Sequence, residues 1–215
     1  DFFHWHLEFP EVFGENSDSG FDVVLGNPPW ERIKLRKEEF FAVKDPQIVD
    51  APTASKRDEL IQKLEEEDKS LYQEYQRAQH YSVALSTYLR ESGRFPLTAQ
   101  GSINTYQIFA DVYRSFTSDT GRSGMLVPTA LVTNDSTKEF FQDMMSKKEV
   151  EKIYSFWEVR RFFNDTDSRE PFSLISISKD EKTDRADFVF DIHSLDELRE
   201  KNRHFQLSEE DIRKI

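Results

Sequence analysis

Residues 21–30, Phe21-Asp22-Val23-Val24-Leu25-Gly26-Asn27-Pro28-Pro29-Trp30, form a short apolar run that breaks abruptly into a proline turn. The run follows a turn-forming cluster, Asn16-Ser17-Asp18-Ser19-Gly20, and reads as a buried strand. Open α/β sheets place their ligand sites at the carboxyl ends of strands, which is where Asn27 to Trp30 fall. Two successive prolines fix the backbone and remove two amide donors, so the carbonyls of the turn can point into a cleft.

Those residue types suit one chemistry. The Asn27 side-chain oxygen and the Pro28 carbonyl can accept both hydrogens of an exocyclic amine, while Trp30 stacks on the attached ring. A flipped adenine meets these requirements. Extruding a base costs a few kcal/mol, one aromatic stack returns about 1–3 kcal/mol, and two hydrogen bonds add about 1 kcal/mol each. Such a site roughly offsets the flip without a charged general base.

Outward from the turn, residues 31–92 are polar and helix-forming. Leu60, Leu64, Leu71, Tyr75, Ala78, Leu85 and Leu89 recur at three- and four-residue steps, an amphipathic helical stripe. Glu65-Glu66-Glu67-Asp68-Lys69 is its solvated side or a break between two helices. Residues 31–100 are thus expected to form a helical insertion. After a loop from Ser92 to Gly101, Asn104 to Phe116 has helical spacing, and Gly121 and Gly124 are read as its end. Met125 to Pro128 is expected to be a strand, followed by a helix from about Ser136 to Met145 and strands at Val150–Val159, Phe172–Ser178 and Phe188–Ile192. Strands alternating with helices predict an α/β fold with a mostly parallel sheet. Residues 193–215 read as a charged helical tail.

Composition narrows the class. The 215 residues carry 41 Asp+Glu against 29 Lys+Arg, a formal net charge of −12, which argues against a free-standing nucleic-acid clamp. Arg90, Arg94, Arg160, Arg161 and Arg169 would have to form a local patch to touch phosphate. With 37% hydrophobic residues and 19 Phe the chain can build a core. The absence of Cys excludes disulfides, zinc ribbons and thiol chemistry, and fits a reducing compartment. No run approaches the roughly 18–20 apolar residues of a membrane span, and no signal peptide is recognisable at the start. The expected location is cytoplasmic. Asp1 in place of an initiator Met, and a charged helical pattern running to Ile215, read as a piece of a longer protein. His4, His6 and Glu8 alternate as on one strand face, but without visible third-ligand geometry no metal site is assigned.

Gly26-Asn27-Pro28-Pro29-Trp30 after Phe21-Asp22-Val23-Val24-Leu25 resembles motif IV of amino-group DNA methyltransferases, which use S-adenosylmethionine to make N6-methyladenine. Similar motifs occur in methyltransferases acting on protein glutamine and on RNA. Context favours DNA. His4-Trp5-His6-Leu7-Glu8-Phe9-Pro10-Glu11-Val12-Phe13 resembles large gamma-class adenine methylases of restriction-modification (type IIG/IIS-like) or phage-defence proteins. Gly101 to Phe109, through Asn104-Thr105-Tyr106, resembles motif V, Gly121 to Thr129 motif VI, and Phe162-Phe163 to Leu174 the motif VIII region. Such proteins often have Glu-Asn-Arg where this chain has Glu158-Val159-Arg160.

The resemblance implies a partial Rossmann-like methyltransferase sheet, its C-terminal half, built from residues 1–30 and 101–192. It implies catalytic roles for Asn27, Pro28, Pro29 and Trp30, a base-pocket wall from Phe162 or Phe163, and an approach to the cofactor by Asn104 and Tyr106. The family's glycine-rich cofactor turn precedes motif IV and has no counterpart in the sequence, so the main S-adenosylmethionine-binding element is expected outside it. The recognition domain is expected beyond the tail. Double-stranded DNA is the implied partner of the full-length protein, and the piece alone is expected to be inactive. The Val23-Val24-Leu25 strand would lose its neighbour, leaving an edge able to self-associate. The rival reading outside enzymology is a non-catalytic methylase-like scaffold whose insertion binds a partner.

Overall fold

A computed structural model of the chain describes residues 3–14, 19–157, 162–163, 171–180 and 183–214. In chain order the elements are α1 (Trp5–Glu8), β1 (Phe21–Gly26), α2 (Lys37–Phe41), α3 (Pro46–Val49), α4 (Ala54–Glu67), α5 (Lys69–Glu91) and α6 (Thr105–Phe116). Then follow β2 (Thr117–Pro128), α7 (Ala130–Thr133), α8 (Lys138–Ser146), β3 (Val150–Phe156), β4 (Phe172–Ser178), β5 (Ala186–Ile192), β6 (Phe205–Leu207) and α9 (Glu209–Ile212). The chain divides into two compact units, residues 1–31 with 97–215, and residues 32–96.

The larger unit holds a six-stranded sheet in the order β1-β2-β4-β3-β5-β6. β1 runs parallel to β2 and β3 parallel to β5, but β4 lies antiparallel between β2 and β3, and β6 is antiparallel to β5. The sheet is therefore mixed rather than mostly parallel.

Side-chain alternation gives the sheet two apolar faces. On one, Met125, Val127, Ile153, Ile175, Ile177 and Phe188 pack with Tyr106, Ala110, Leu131, Phe140 and Met144 of the helices. Phe156, Phe172, Val189 and Ile192 form a smaller cluster on the other, joined by Trp30, Leu126, Tyr154 and Phe162. That second face is open at its β1 side: Val23 is 67% and Leu25 81% exposed. The expectation of a buried strand fails here because β1 is the edge strand and no described element covers those side chains.

The two glycines expected to stop α6 lie inside β2. A Cβ on Gly121 would come 2.7 Å from the Phe21 carbonyl oxygen, so a side chain is excluded where β1 crosses β2. The β1–β2 register shifts between Phe21 and Val23 at this point. Ahead of β1, Trp5 and Phe13 pack against Phe21 and Phe116, with ring centroids 5.2–5.8 Å apart. Residues 5–8 form a helical turn, so His4, His6 and Glu8 do not share a strand face.

The expected helical tail is instead two 3₁₀ turns, β6 and the short α9. His204 ties it to the sheet: Nδ1 lies 2.7 Å from Asp187 Oδ2 and Nε2 2.9 Å from the Leu198 carbonyl oxygen.

The smaller unit comprises α2 to α5. Phe41, Ile48, Ile61, Leu64 and Tyr75 form its core. Asp68 separates the two long helices, ending α4 while its carboxylate accepts the Leu71 amide at 3.0 Å as the N-cap of α5. No helix among the described residues is long and apolar enough to cross a membrane.

Candidate active site

The Asn27–Trp30 turn leaves the C-terminal end of β1. Asn27 and Pro29 are exposed, Pro28 is buried and Trp30 half-buried. Among the described residues the Asn27 amide makes no hydrogen bond, and neither does the Pro28 carbonyl; both acceptors are uncommitted. The next carbonyl is not. Thr105 Oγ1 donates to the Pro29 oxygen at 2.6 Å and accepts from the Glu31 amide at 2.9 Å, while the Thr105 amide donates to the Glu31 oxygen at 2.8 Å. The first residue of α6 thus grips both sides of the turn, 74–76 positions away in sequence. Thr105 stood within the motif V stretch without an assigned role. Its local signal is that of an ordinary helix start, and only the tertiary contact distinguishes it.

Trp30 packs against both apolar clusters, and its indole Nε1, buried, has no partner among the described residues. Trp30 and Phe162 therefore meet on the same Phe156–Phe172 cluster. Phe162 sits edge-on to Phe156 at 5.3 Å and Phe172 at 5.8 Å, whereas Phe163 touches Phe172 at 5.5 Å and is 40% exposed. Phe162 is the packed ring of the pair and Phe163 the accessible one. Glu158, Val159, Arg160, Arg161 and Arg169 lie outside the described residues.

Beneath this cluster three buried hydroxyls converge. Thr129 Oγ1, just past β2, lies 2.8 Å from Ser155 Oγ of β3 and 2.9 Å from Ser173 Oγ of β4. The Thr129 amide also donates to the Pro171 oxygen at 2.9 Å. Ser155 and Ser173 face each other across the β3–β4 ladder, so Thr129 fastens both roots of the segment that carries Phe162 and Phe163.

The two residues expected to approach the cofactor are separated by burial. Tyr106 is 5% exposed within the main core. Asn104 is half-buried as the N-cap of α6, its amide donating to Gln107 Oε1 at 2.8 Å. Clefts on the described surface, lined by Met145, Lys148, Glu209 and Ile212 among others, include no residue of the turn. Arg90 approaches Ser86 Oγ, and Arg94 lies over the Phe95 ring.

The mixed α/β sheet resembles the fold of restriction-modification methyltransferase structures. The chain belongs to the Eco57I restriction-modification methylase family, which it matches over residues 1–163. No curated protein matches it. Among solved structures, it is similar to the methyltransferase subunit of a type I restriction-modification system from Streptococcus thermophilus. There the TM-score is 0.51 at 11% identity, over 97% of this chain and 38% of that one. The type IIG restriction endonuclease BpuSI gives a TM-score of 0.47 at 14% identity, over 95% of this chain and 20% of the other. The chain spans well under half the length of either.

Proposed function

We propose that this chain is the target-amine half of an S-adenosylmethionine-dependent DNA adenine-N6 methyltransferase of a restriction-modification system, acting on a base flipped from double-stranded DNA. One observation carries the reading. Asn27 and Pro28 present two unengaged acceptors on a turn whose following carbonyl, Pro29, is held by Thr105. Two such acceptors suit a primary amine, because each can take one of its hydrogens and leave the nitrogen lone pair free. Thr105 fixes the turn before substrate arrives, so little reorganisation is needed when the amine docks.

In this reading Trp30, immobilised against the sheet, stacks on the base, and Phe163 closes the opposite side while Phe162 anchors the segment. S-adenosylmethionine, when bound, supplies the methyl group. Its principal contacts are assigned to parts of the full-length protein other than Tyr106, whose ring is committed to the core.

The reading is tested with the full-length protein and a substrate panel of duplex DNA, RNA and a glutamine-containing peptide, each with radiolabelled methyl donor. Label on adenine N6 of duplex DNA is expected. Label on RNA or peptide instead would replace the substrate assignment and keep the amine site; no transfer to any of the three would favour the non-catalytic scaffold. That second reading has its own observation, since Tyr81 and Tyr88, seven residues apart on one face of α5, are 69% and 50% exposed.

A further inference from the structure

We infer that Arg32 and Lys34 form a contact site for the phosphodiester backbone of DNA; the inference rests on the proposed DNA substrate. The chain is strongly acidic, yet Arg32-Ile33-Lys34-Leu35-Arg36-Lys37 places four cations in six residues, directly after Trp30 and Glu31. Within the smaller unit five cations are already spent on carboxylates. Arg36 pairs with Glu39, Lys37 with Asp58, Lys44 with Glu74, Lys56 with Glu59 and Arg57 with Glu38. Arg32 and Lys34 are exposed and, among the described residues, have no carboxylate partner, although Glu31 adjoins Arg32 in the chain.

Their backbone is held. Ser82 Oγ, in the middle of α5, donates to the Ile33 oxygen at 2.7 Å and accepts from the Leu35 amide at 3.0 Å. Leu35 packs against the Phe41–Tyr75 core. One hydroxyl therefore brackets Lys34 on both sides, so the ammonium projects from a fixed base rather than a free loop. Ile33 and Leu35 are half-buried, and the cations between and beside them face solvent. Two peptide units separate Arg32 from Trp30, and four separate Lys34. These two cations are the nearest uncommitted ones in the sequence to the proline turn. Cations of this kind position the backbone without reading bases.

The test uses the full-length protein and measures its affinity for a cognate and an unrelated duplex between about 50 and 200 mM salt. In the double variant Arg32→Ala/Lys34→Ala, binding is expected to weaken equally on both duplexes. The slope of log affinity against log salt should become shallower by about 1.8, two phosphates at about 0.9 each. Binding of S-adenosylmethionine should not change. A control, Lys63→Ala/Lys69→Ala, removes two exposed lysines of the same unit and should leave the slope as it was. An unchanged slope in the first variant, weakening on the cognate duplex alone, or an equal change in the control would each overturn the site. If the parent protein shows no salt-dependent DNA binding at all, the DNA reading itself fails, a result separate from these.

Discussion

The Thr105 hydroxyl donates to the Pro29 carbonyl oxygen at 2.6 Å and joins the start of α6 to the turn that follows β1. Because the same oxygen accepts the Glu31 amide, a single side chain decides where the Pro28 and Asn27 acceptors point. Thr105→Val keeps the shape and removes both bonds. It is expected to lower the turnover of the full-length enzyme by roughly 10- to 100-fold, since small misplacements of a positioning group cost on that order. S-adenosylmethionine affinity should be largely kept, and Thr105→Ser should recover most of the rate. Single-turnover methylation kinetics on the three proteins measure this, and equal rates for Val and parent would refute it.

Thr129 does for the strand roots what Thr105 does for the turn. Thr129→Val leaves the Ser155 and Ser173 hydroxyls, both buried, facing a methyl group. Stranding buried polar groups costs about 1–3 kcal/mol. Denaturant unfolding should show a loss of that size, with Thr129→Ser restoring most of it. A Val variant as stable as the parent would mean that the three hydroxyls contribute nothing.

A pH dependence follows from His204. Both of its ring nitrogens face acceptors, the Leu198 carbonyl and the Asp187 carboxylate, and Tyr154 also donates to that carboxylate at 2.8 Å. The hydrogen bond to the Leu198 carbonyl, followed by that to Asp187, holds the imidazole pKa above its ordinary value. A raised pKa stabilises the charged form. The contribution is therefore complete below about pH 6.5, the ordinary value for histidine, and is lost as pH rises through the folded value. Thermal unfolding midpoints should fall with rising pH in that window, and the trend should flatten in His204→Gln. Identical trends in the two proteins would remove His204 from the account.

Elements with strong local signals were readable in advance. The apolar run Phe172–Ser178 forms β4 within those bounds, and the acidic run before Lys69 does break a helix pair, at Asp68. The turn itself was legible, because two successive prolines after an apolar run end a strand. What escaped was set by distant contacts. Gly121 reads locally as a helix stop, but it is a glycine because the Phe21 carbonyl leaves no room for a Cβ. The apolar letters of Val23 and Leu25 signal a strand, yet cannot say that it is the sheet's edge. Thr105 reaches back 76 residues to Pro29, a relationship that no spacing rule contains. Tyr106 and Asn104, adjacent in sequence, are parted by helix geometry, one turned into the core and the other capping the helix.

The central claim is that Asn27 and its turn hold the amine. Asn27→Ala in the full-length protein removes one exposed acceptor that has no structural partner among the described residues, so folding should be unaffected. Methyl transfer to duplex DNA and S-adenosylmethionine binding by calorimetry, measured on the same preparation, test it directly. Transfer should fall to background while cofactor affinity stays within about twofold of the parent. Transfer at the parental rate would contradict the account.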